Sequence, residues 1–264
     1  MNGSYLYHPS WPIFLEDNHL LALYKPAGLL VQADQTGEVS LLELGKSWLK
    51  ERYSKPGRVF LGMVHRLDRP VAGIVLFCRT SKAAARLSEQ FRTGTVRKRY
   101  LAVVEGRLEP ESGRLTHHIE RRENVSSRIV PPSTPNSREA RLTYRVLETA
   151  GERSLVEVHL ETGRHHQIRL QLSHVGHPVL GDLRYGASRP LPQKQVALFA
   201  VELAVDHPIR SERIVLQSPL PQGWPWPAGP SNNQPTPWNW ADLSGLVCPE
   251  LTLSTRPQNK VAEI

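Results

Sequence analysis

The sequence predicts an α+β fold, because short strand patterns outnumber helical patterns and the two kinds follow one another in mixed order. The chain has 264 residues, 39% of them hydrophobic, so it holds enough apolar material for a sizeable core. This composition excludes disorder along the whole chain, and two cysteines are too few for a disulfide scaffold. The mixed order also argues against a doubly wound parallel sheet.

Turn-forming and helix-capping residues mark the first strand and the first helix. Residues 19–24 form a short apolar run that is followed by Lys-Pro-Ala-Gly, which predicts a strand and then a turn. Ser40 and Glu43 have the spacing of a capping box, so we expect a helix from about residue 41 to residue 52.

A second strand and helix follow directly. Residues 73–79 are rich in β-branched and aromatic side chains, which is typical of a buried strand. Ser81 is the expected N-cap of the next helix, whose apolar residues recur at helical spacing until Gly94 ends it.

The second half of the chain is richer in strands. Residues 124–139 are dominated by Ser, Pro, Asn and Arg, which predicts an exposed loop. Residues 166–175 have one apolar side and are followed by Gly176, which predicts a helix. Further strands, of which the last two form a hairpin, are expected at 100–104, 140–147 and 155–160.

A proline-rich tail follows the folded part. Residues 219–237 contain seven prolines in nineteen positions. We therefore expect a folded domain over 1–221 and a tail over 222–264 that is either disordered or an extended strap on the domain. Four of the six tryptophans lie in this tail, which favours the strap: Trp224, Trp226, Trp238 and Trp240.

The positive charge belongs to the predicted domain. The net charge is +8, and 31 of the 33 basic residues but 22 of the 25 acidic ones precede position 222. This excess indicates a polyanionic partner, nucleic acid before membrane, because no basic amphipathic helix stands out. A moderately basic protein without any nucleic-acid partner is the alternative.

Several signals bear on location and assembly. The most concentrated apolar stretch, residues 74–78, is far too short to span a bilayer, and the N-terminus lacks a secretory pattern. Cys78 and Cys248 lie in dissimilar segments, so we expect no disulfide, as in a reducing cytoplasm. No heptad pattern is present, so a monomer is expected.

The first cluster of chemistry-bearing residues is HRLDRP, residues 65–70. Asp68 lies between Arg66 and Arg69, so its carboxylate is expected to stay ionised at neutral pH and able to act as a nucleophile or base. The alternative is a structural ion pair between a strand end and a neighbouring loop.

The second cluster joins cations to an aromatic ring. Residues 92–99 contain four basic side chains and no acidic one, and Tyr100 follows them. Such cations neutralise phosphates, and an aromatic ring can stack on a base. Equally, the segment can be a solvated loop with Tyr100 in the core.

The third cluster, residues 162–169, places Arg164 near a helix start and Arg169 among apolar residues. A buried arginine is costly without an anion, and Asp68 is a candidate partner. Histidines also allow a metal site, which we disfavour because there is no HExxH pattern and carboxylates are sparse. The histidines concerned are His165, His166, His174 and His177.

Together these clusters resemble the RluA-type pseudouridine synthases over roughly residues 14–221. Val71 and Ala72 stand where many members have Thr-Ser, a difference expected to change local hydrogen bonding and not the chemistry. Four blocks in the family's order carry the resemblance: YKPAGLLV (24–31), HRLDRPVAG (65–73), KRYLAVVEG (98–106) and TGRHHQIRLQLSHVGHPVLGDLRYG (162–186).

The resemblance implies a catalytic domain on a mixed, largely antiparallel sheet with flanking helices and an RNA cleft, without cofactor or metal. It assigns the catalytic role to Asp68, whether through a covalent sugar adduct or a glycal. It places Tyr100 against the uracil, as a candidate to take the carbon 5 proton, and pairs Arg169 with Asp68.

Substrate recognition is expected to use base flipping, because a stacked uridine hides its glycosidic nitrogen. Arg66 and Arg164 are then expected to meet the RNA backbone. Relatives act on ribosomal or transfer RNA. Only about a dozen residues precede the family region, so we expect target choice to lie in the domain, the 124–139 loop or the tail.

Two other function classes compete with this expectation. One is a non-catalytic RNA-binding module on the same scaffold, which the presence of the expected catalytic residues disfavours. The other is a phosphotransferase, suggested by the likeness of HRLD to a kinase HRD loop. It is disfavoured because the sequence has no glycine-rich phosphate loop and no DFG.

Overall fold

The computed structural model describes residues 13–122, 126–218, 220 and 224–226. Within these ranges no helix combines the length and the apolar character that crossing a membrane requires.

Three α-helices, two short 3₁₀ helices (Leu183–Tyr185 and Pro192–Lys194) and eleven strands make up the regular structure of the described residues. The helices are α1 Leu41–Arg52, α2 Ser81–Thr93 and α3 Gln167–His174. The strands are β1 Ile13–Glu16, β2 Leu20–Lys25, β3 Gly62–Met63, β4 Ala72–Cys78, β5 Arg97–Glu105, β6 Ser112–Arg121, β7 Ser127–Val130, β8 Arg138–Thr149, β9 Arg153–Leu160, β10 Leu198–Asp206 and β11 Arg213–Gln217.

All eleven strands belong to one mixed sheet in the order β1-β2-β4-β10-β5-β9-β8-β6-β7, with β11 paired to β10 and β3 paired to β4. Strands β4 and β10 run parallel. The other strand pairs in the described part of the chain are antiparallel. The predicted α+β fold with a largely antiparallel sheet is thereby confirmed.

Alternating side chains of β2 and β4 build two separate cores, because successive residues of a strand point to opposite faces. Leu21 and Leu23 pack with α1 in the larger core, which also contains Leu67 of the HRLDRP segment. Leu20 and Ala22 pack with α2 in the smaller core. Helices α1 and α2 therefore cover opposite faces. Leu67 of the HRLDRP segment packs on the α1 side, whereas His65 of the same segment stacks on Phe91 of α2 at 5.0 Å.

The helix starts follow from local capping. Helix α1 begins at the predicted residue, because the Ser40 side chain accepts from the Glu43 backbone and Glu43 reaches back to the Ser40 backbone. Helix α2 begins one residue earlier than expected. Its N-cap is Thr80 and not Ser81, because the Thr80 hydroxyl accepts from the Ala83 backbone N–H.

Part of the predicted 124–139 loop is a strand. β7 pairs with β6 from Ser127 to Val130, and β8 begins at Arg138, so the loop prediction is wrong for residues 127–130 and 138–139. Residues 123–125 lie outside the described ranges. Pairing with β6, the strand that directly precedes β7, provides hydrogen bonds that the polar composition does not reveal.

Two tryptophans of the predicted tail pack on the domain. Trp224 and Trp226 are buried in the larger core, and the Trp224 ring meets Phe199 of β10 edge to face at 5.7 Å. The Trp226 indole N–H donates to Glu148 Oε2 at 2.8 Å. The rest of the predicted tail lies outside the described residues, so the boundary at residue 221 stays a prediction.

Candidate active site

A buried lysine anchors the loop that carries Asp68. Lys25, at the end of β2, donates from Nζ to the carbonyls of Pro26, Leu29 and Arg69 at 2.8, 2.8 and 3.0 Å. Burial lowers the Lys25 pKa to about 7, against the opposing effect of the Asp68 carboxylate. All three donors of an ammonium are thereby used, which fixes the backbone beside Asp68.

Glycine completes the same anchor. Gly28 has a φ of +88°, which glycine adopts at no steric cost, and its N–H donates to the Arg69 carbonyl at 2.8 Å. The Arg69 Nε donates back to the Gly28 carbonyl at 2.9 Å. The segments KPAG and HRLDRP thus form one rigid unit.

Arg169, in the first turn of α3, joins two carboxylates. Its Nη1 donates to Asp68 Oδ2 at 3.1 Å, across 101 positions of sequence. Its Nε and Nη2 donate to the two oxygens of Asp182 at 2.6 and 2.8 Å. The expected contact between Asp68 and Arg169 is therefore present, and Asp182 makes the stronger, bidentate pair.

The two carboxylates differ in exposure. The side chains of Arg169 and Asp182 are 5% and 2% exposed, whereas that of Asp68 is 19% exposed. Burial opposes the charge of Arg169, but hydrogen bonds from Asp182 and the charges of both carboxylates outweigh it and raise the Arg169 pKa. Asp68 is consequently the carboxylate that a ligand can reach.

A neutral histidine braces the same pocket. Burial lowers the pKa of His166 to about 3, so the ring is neutral at physiological pH. Tyr185 Oη lies 2.7 Å from His166 Nδ1 and accepts from the Ser127 N–H at 3.3 Å. We assign the Tyr185 proton to His166 Nδ1, which leaves a protonated Nε2 facing Asp68 Oδ2 at 3.7 Å.

Tyr100 lies on β5 with its ring packed against the larger core. Burial and then the Asp68 carboxylate raise its pKa above the ordinary value, so the phenol stays protonated at neutral pH. The Tyr100 phenol therefore lies close enough to Asp68 for the carboxylate charge to affect its pKa. The arrangement offers an aromatic surface beside an accessible carboxylate, which suits a flat, uncharged base.

Cations surround this pocket. Arg66 is exposed, and its charge helps to lower the pKa of His165 after burial. Arg164 is half-buried, with its Nε donating to the Glu139 carbonyl at 2.9 Å. Arg66 thus lies two residues before Asp68, and Arg164 lies five residues before Arg169.

The histidines of the third cluster do not converge. His165 and His166 stack at 3.7 Å, whereas His174 meets His117 and His177 meets the Glu105 carbonyl. Throughout the described ranges, no three His, Cys, Asp or Glu side chains come together as potential metal ligands. The geometry gives no support to the metal interpretation.

Sequence reasoning missed three contributors, namely Lys25, Asp182 and Tyr185. Each lies within a block that carries the family resemblance, so the signal was present. The roles of Asp182 and Tyr185 can be assigned only from the structure, because the segment after α3 folds back and brings both side chains to the pocket.

The chain is similar in sequence to known proteins. A family model described as RNA pseudouridylate synthase matches residues 19–174. An uncharacterized RNA pseudouridine synthase of Bacillus subtilis is 36% identical over 213 residues, covering 79% of this chain and 68% of the relative. The ribosomal large subunit pseudouridine synthase D of Nitrosomonas europaea is 35% identical over 217 residues, covering 79% and 62%.

A solved structure agrees as well. Human RNA pseudouridylate synthase domain containing 4 superposes with a TM-score of 0.66 at 26% identity, over 79% of this chain and 88% of that one. The chain spans about two thirds of the length of the two curated relatives.

Proposed function

Because the chain belongs to the RNA pseudouridylate synthase family, we propose that it isomerises uridine to pseudouridine within structured RNA. One observation carries the proposal: Arg169 and Asp182, both buried, hold the partly exposed Asp68 carboxylate in place at 3.1 Å. The pairing leaves Asp68 accessible to a substrate while Asp182 stays buried.

In the proposed reaction Asp68 acts at the ribose of a flipped uridine. The bond between uracil N1 and ribose C1′ breaks, the base turns, and a bond forms between C5 and C1′. The C5 proton is removed and N1 gains one, so atoms balance. The negative charge of Asp68 favours cleavage, whether by direct attack on C1′ or through a glycal.

Neighbouring residues have supporting parts in this proposal. Tyr100 packs on the uracil, and its protonated phenol is a candidate relay for the C5 proton, giving its own proton toward N1 as it takes the one from C5. Arg169 orients Asp68, and Arg66 and Arg164 contact the RNA backbone. Flipping the nucleotide costs about a few kcal/mol of lost stacking and pairing. Contacts to the phosphates and stacking on Tyr100 offset this cost.

We further propose large-subunit ribosomal RNA as the substrate class, with transfer RNA as the alternative. The printed name of the Nitrosomonas europaea relative supports the ribosomal choice. In this proposal residues 1–221 act as a monomeric catalytic domain in the cytoplasm, and 222–264 form its tail.

The decisive experiment is Asp68→Asn, which keeps the size of the side chain and removes its charge. Pseudouridines are mapped in RNA from cells lacking the gene after treatment with purified protein. The wild type is expected to restore one or more pseudouridines and Asp68→Asn none, with unchanged folding by circular dichroism. Asp34→Asn, which removes a carboxylate from an exposed loop, serves as the control.

Two outcomes would contradict the proposal in different ways. Conversion of uridine by Asp68→Asn would mean that Asp68 is not the catalyst. RNA binding without any conversion by the wild type would favour a non-catalytic RNA-binding module.

A further inference from the structure

Lys98 lies beside the pocket, and no acidic residue of the described part of the chain pairs with it. It is half-buried on β5, two residues before Tyr100 and therefore on the same face of the strand. Among the described residues no carboxylate or carbonyl contacts its Nζ. A Cβ placed on Gly163 would lie 3.6 Å from that Nζ, so the lysine points at the segment that carries Arg164.

Arg164 is held in place from two sides. Its backbone N–H donates to Gln167 Oε1 at 2.9 Å, and its Nε donates to the Glu139 carbonyl at 2.9 Å. Within the described ranges no hydrogen bond uses the two terminal nitrogens of the guanidinium, which lie in a plane suited to two oxygens of one phosphate.

The two cations repel each other. Burial and then the charge of Arg164 lower the pKa of Lys98 to about 8. Burial, followed by the charges of Arg138 and Arg141, lowers the pKa of Arg164. Half-buried cations in such surroundings cost free energy in the free protein, and an arriving anion would relieve that cost.

Arg99, next to Lys98 on β5, shows that a cation on this strand can pair with acidic residues. Arg99 donates to Glu157 at 3.1 Å and to Glu202 at 2.9 Å. Acidic residues thus satisfy the cation on the opposite face of β5, whereas the face toward the pocket keeps its positive charge. This asymmetry argues against Lys98 being an ordinary structural cation.

We propose that Lys98 and Arg164 together bind one backbone phosphate of the RNA next to the target uridine. The proposal rests on the proposed function and adds Lys98 as a substrate-binding residue. Lys98 supplies a point charge and Arg164 two directed donors. The position fits because Tyr100 shares the strand face and because His166, two residues after Arg164, lies 3.7 Å from Asp68.

The test compares Lys98→Met with Lys82→Met, both in the Asp68→Asn background so that binding is measured without turnover. Lys82 is exposed at the start of α2, and its loss removes the same charge. The probe is an unmodified transcript of large-subunit ribosomal RNA. Its Kd is measured at several salt concentrations, and melting of the free proteins is recorded.

Lys98→Met is expected to weaken binding about tenfold at 0.1 M salt and to reduce the slope of log Kd against log salt by about 0.7 to 0.9, one phosphate contact. It should also raise the melting temperature of the free protein, because a costly cation is gone. Lys98→Arg should retain the slope, and Lys82→Met should match the Asp68→Asn parent.

Equal slopes for Lys98→Met and Lys82→Met would overturn the proposal. So would a lower melting temperature of Lys98→Met with unchanged RNA affinity, since that is the result for a structural lysine. Wild-type protein that makes no pseudouridine but shows the Lys98 effect would refute the proposed activity and leave the phosphate site standing.

Discussion

Asp182 offers the sharpest test of how the pocket is held together. Its two oxygens accept from Arg169 at 2.6 and 2.8 Å, and both side chains are at most 5% exposed. Asp182→Asn keeps the shape and one acceptor but removes the charge. Arg169 would then have Asp68 as its only carboxylate partner and is expected to turn toward it.

The size of the effect follows from burial. Removing one partner of a buried ion pair costs about 3 to 5 kcal/mol, because the other charge stays buried. At about 2 to 4 °C per kcal/mol for a domain of this size, the melting temperature should fall by about 6 to 20 °C. A shift of Asp68 by about 1 Å would lower kcat about 100-fold.

Thermal unfolding and single-turnover pseudouridine formation measure the two effects. Glu89→Gln is a matched control, because Glu89 also accepts two hydrogen bonds from one arginine, Arg92, but on an exposed face of α2. Its melting temperature should match the wild type. An Asp182→Asn protein that melts with this control and keeps its full kcat would refute the positioning role.

Two further predictions concern the framework and the rim. Gly73→Ala should lower the free energy of unfolding by at least about 2 kcal/mol in urea titrations, because φ is +133° and the new Cβ would lie 2.4 Å from the Ala200 carbonyl oxygen. Gly57→Ala, with nothing within 4 Å, should leave the urea midpoint unchanged; equal midpoints would contradict the steric argument. Lys98→Met should be more stable than the wild type by up to about 3 kcal/mol below pH 8, because the folded pKa of about 8 lies below the ordinary 10.5. The difference should shrink as the pH rises from 8 to 10.5, and a constant difference across that range would be inconsistent with a buried, charged Lys98.

The elements that the sequence predicts well are those with local signals. The capping box of Ser40 and Glu43 places α1 at its observed residues, since the bonds form within one turn. β7 escaped prediction because its hydrogen bonds come from β6, across a polar connection. β1, β3, β6, β10 and β11 were also missed, although Leu198–Asp206 carries an apolar run that predicts a strand.

The sequence predicts only part of the candidate site. Motif blocks identify Asp68 and Arg169, and the structure brings the two side chains together. The part of Asp182 depends on how the turn after α3 folds back onto the helix, which spacing in the sequence does not specify. The Ser127 contact depends on β7, so missing that strand also hid one support of Tyr185.

The distribution of charge separates chemistry from RNA binding. In the interior, Asp68 and Asp182 share one arginine, so this group carries a net negative charge and only Asp68 reaches the pocket. At the rim, burial and the charge of Arg164 lower the pKa of Lys98, while burial and the charges of Arg138 and Arg141 lower the pKa of Arg164. The phosphates of an RNA can compensate the positive charge of Lys98 and Arg164 at the rim. They do not neutralise Asp68, because they remain outside the pocket while only the uncharged base enters. An isomerase that flips a nucleotide needs this division, because its catalytic carboxylate must keep its charge while the backbone is held.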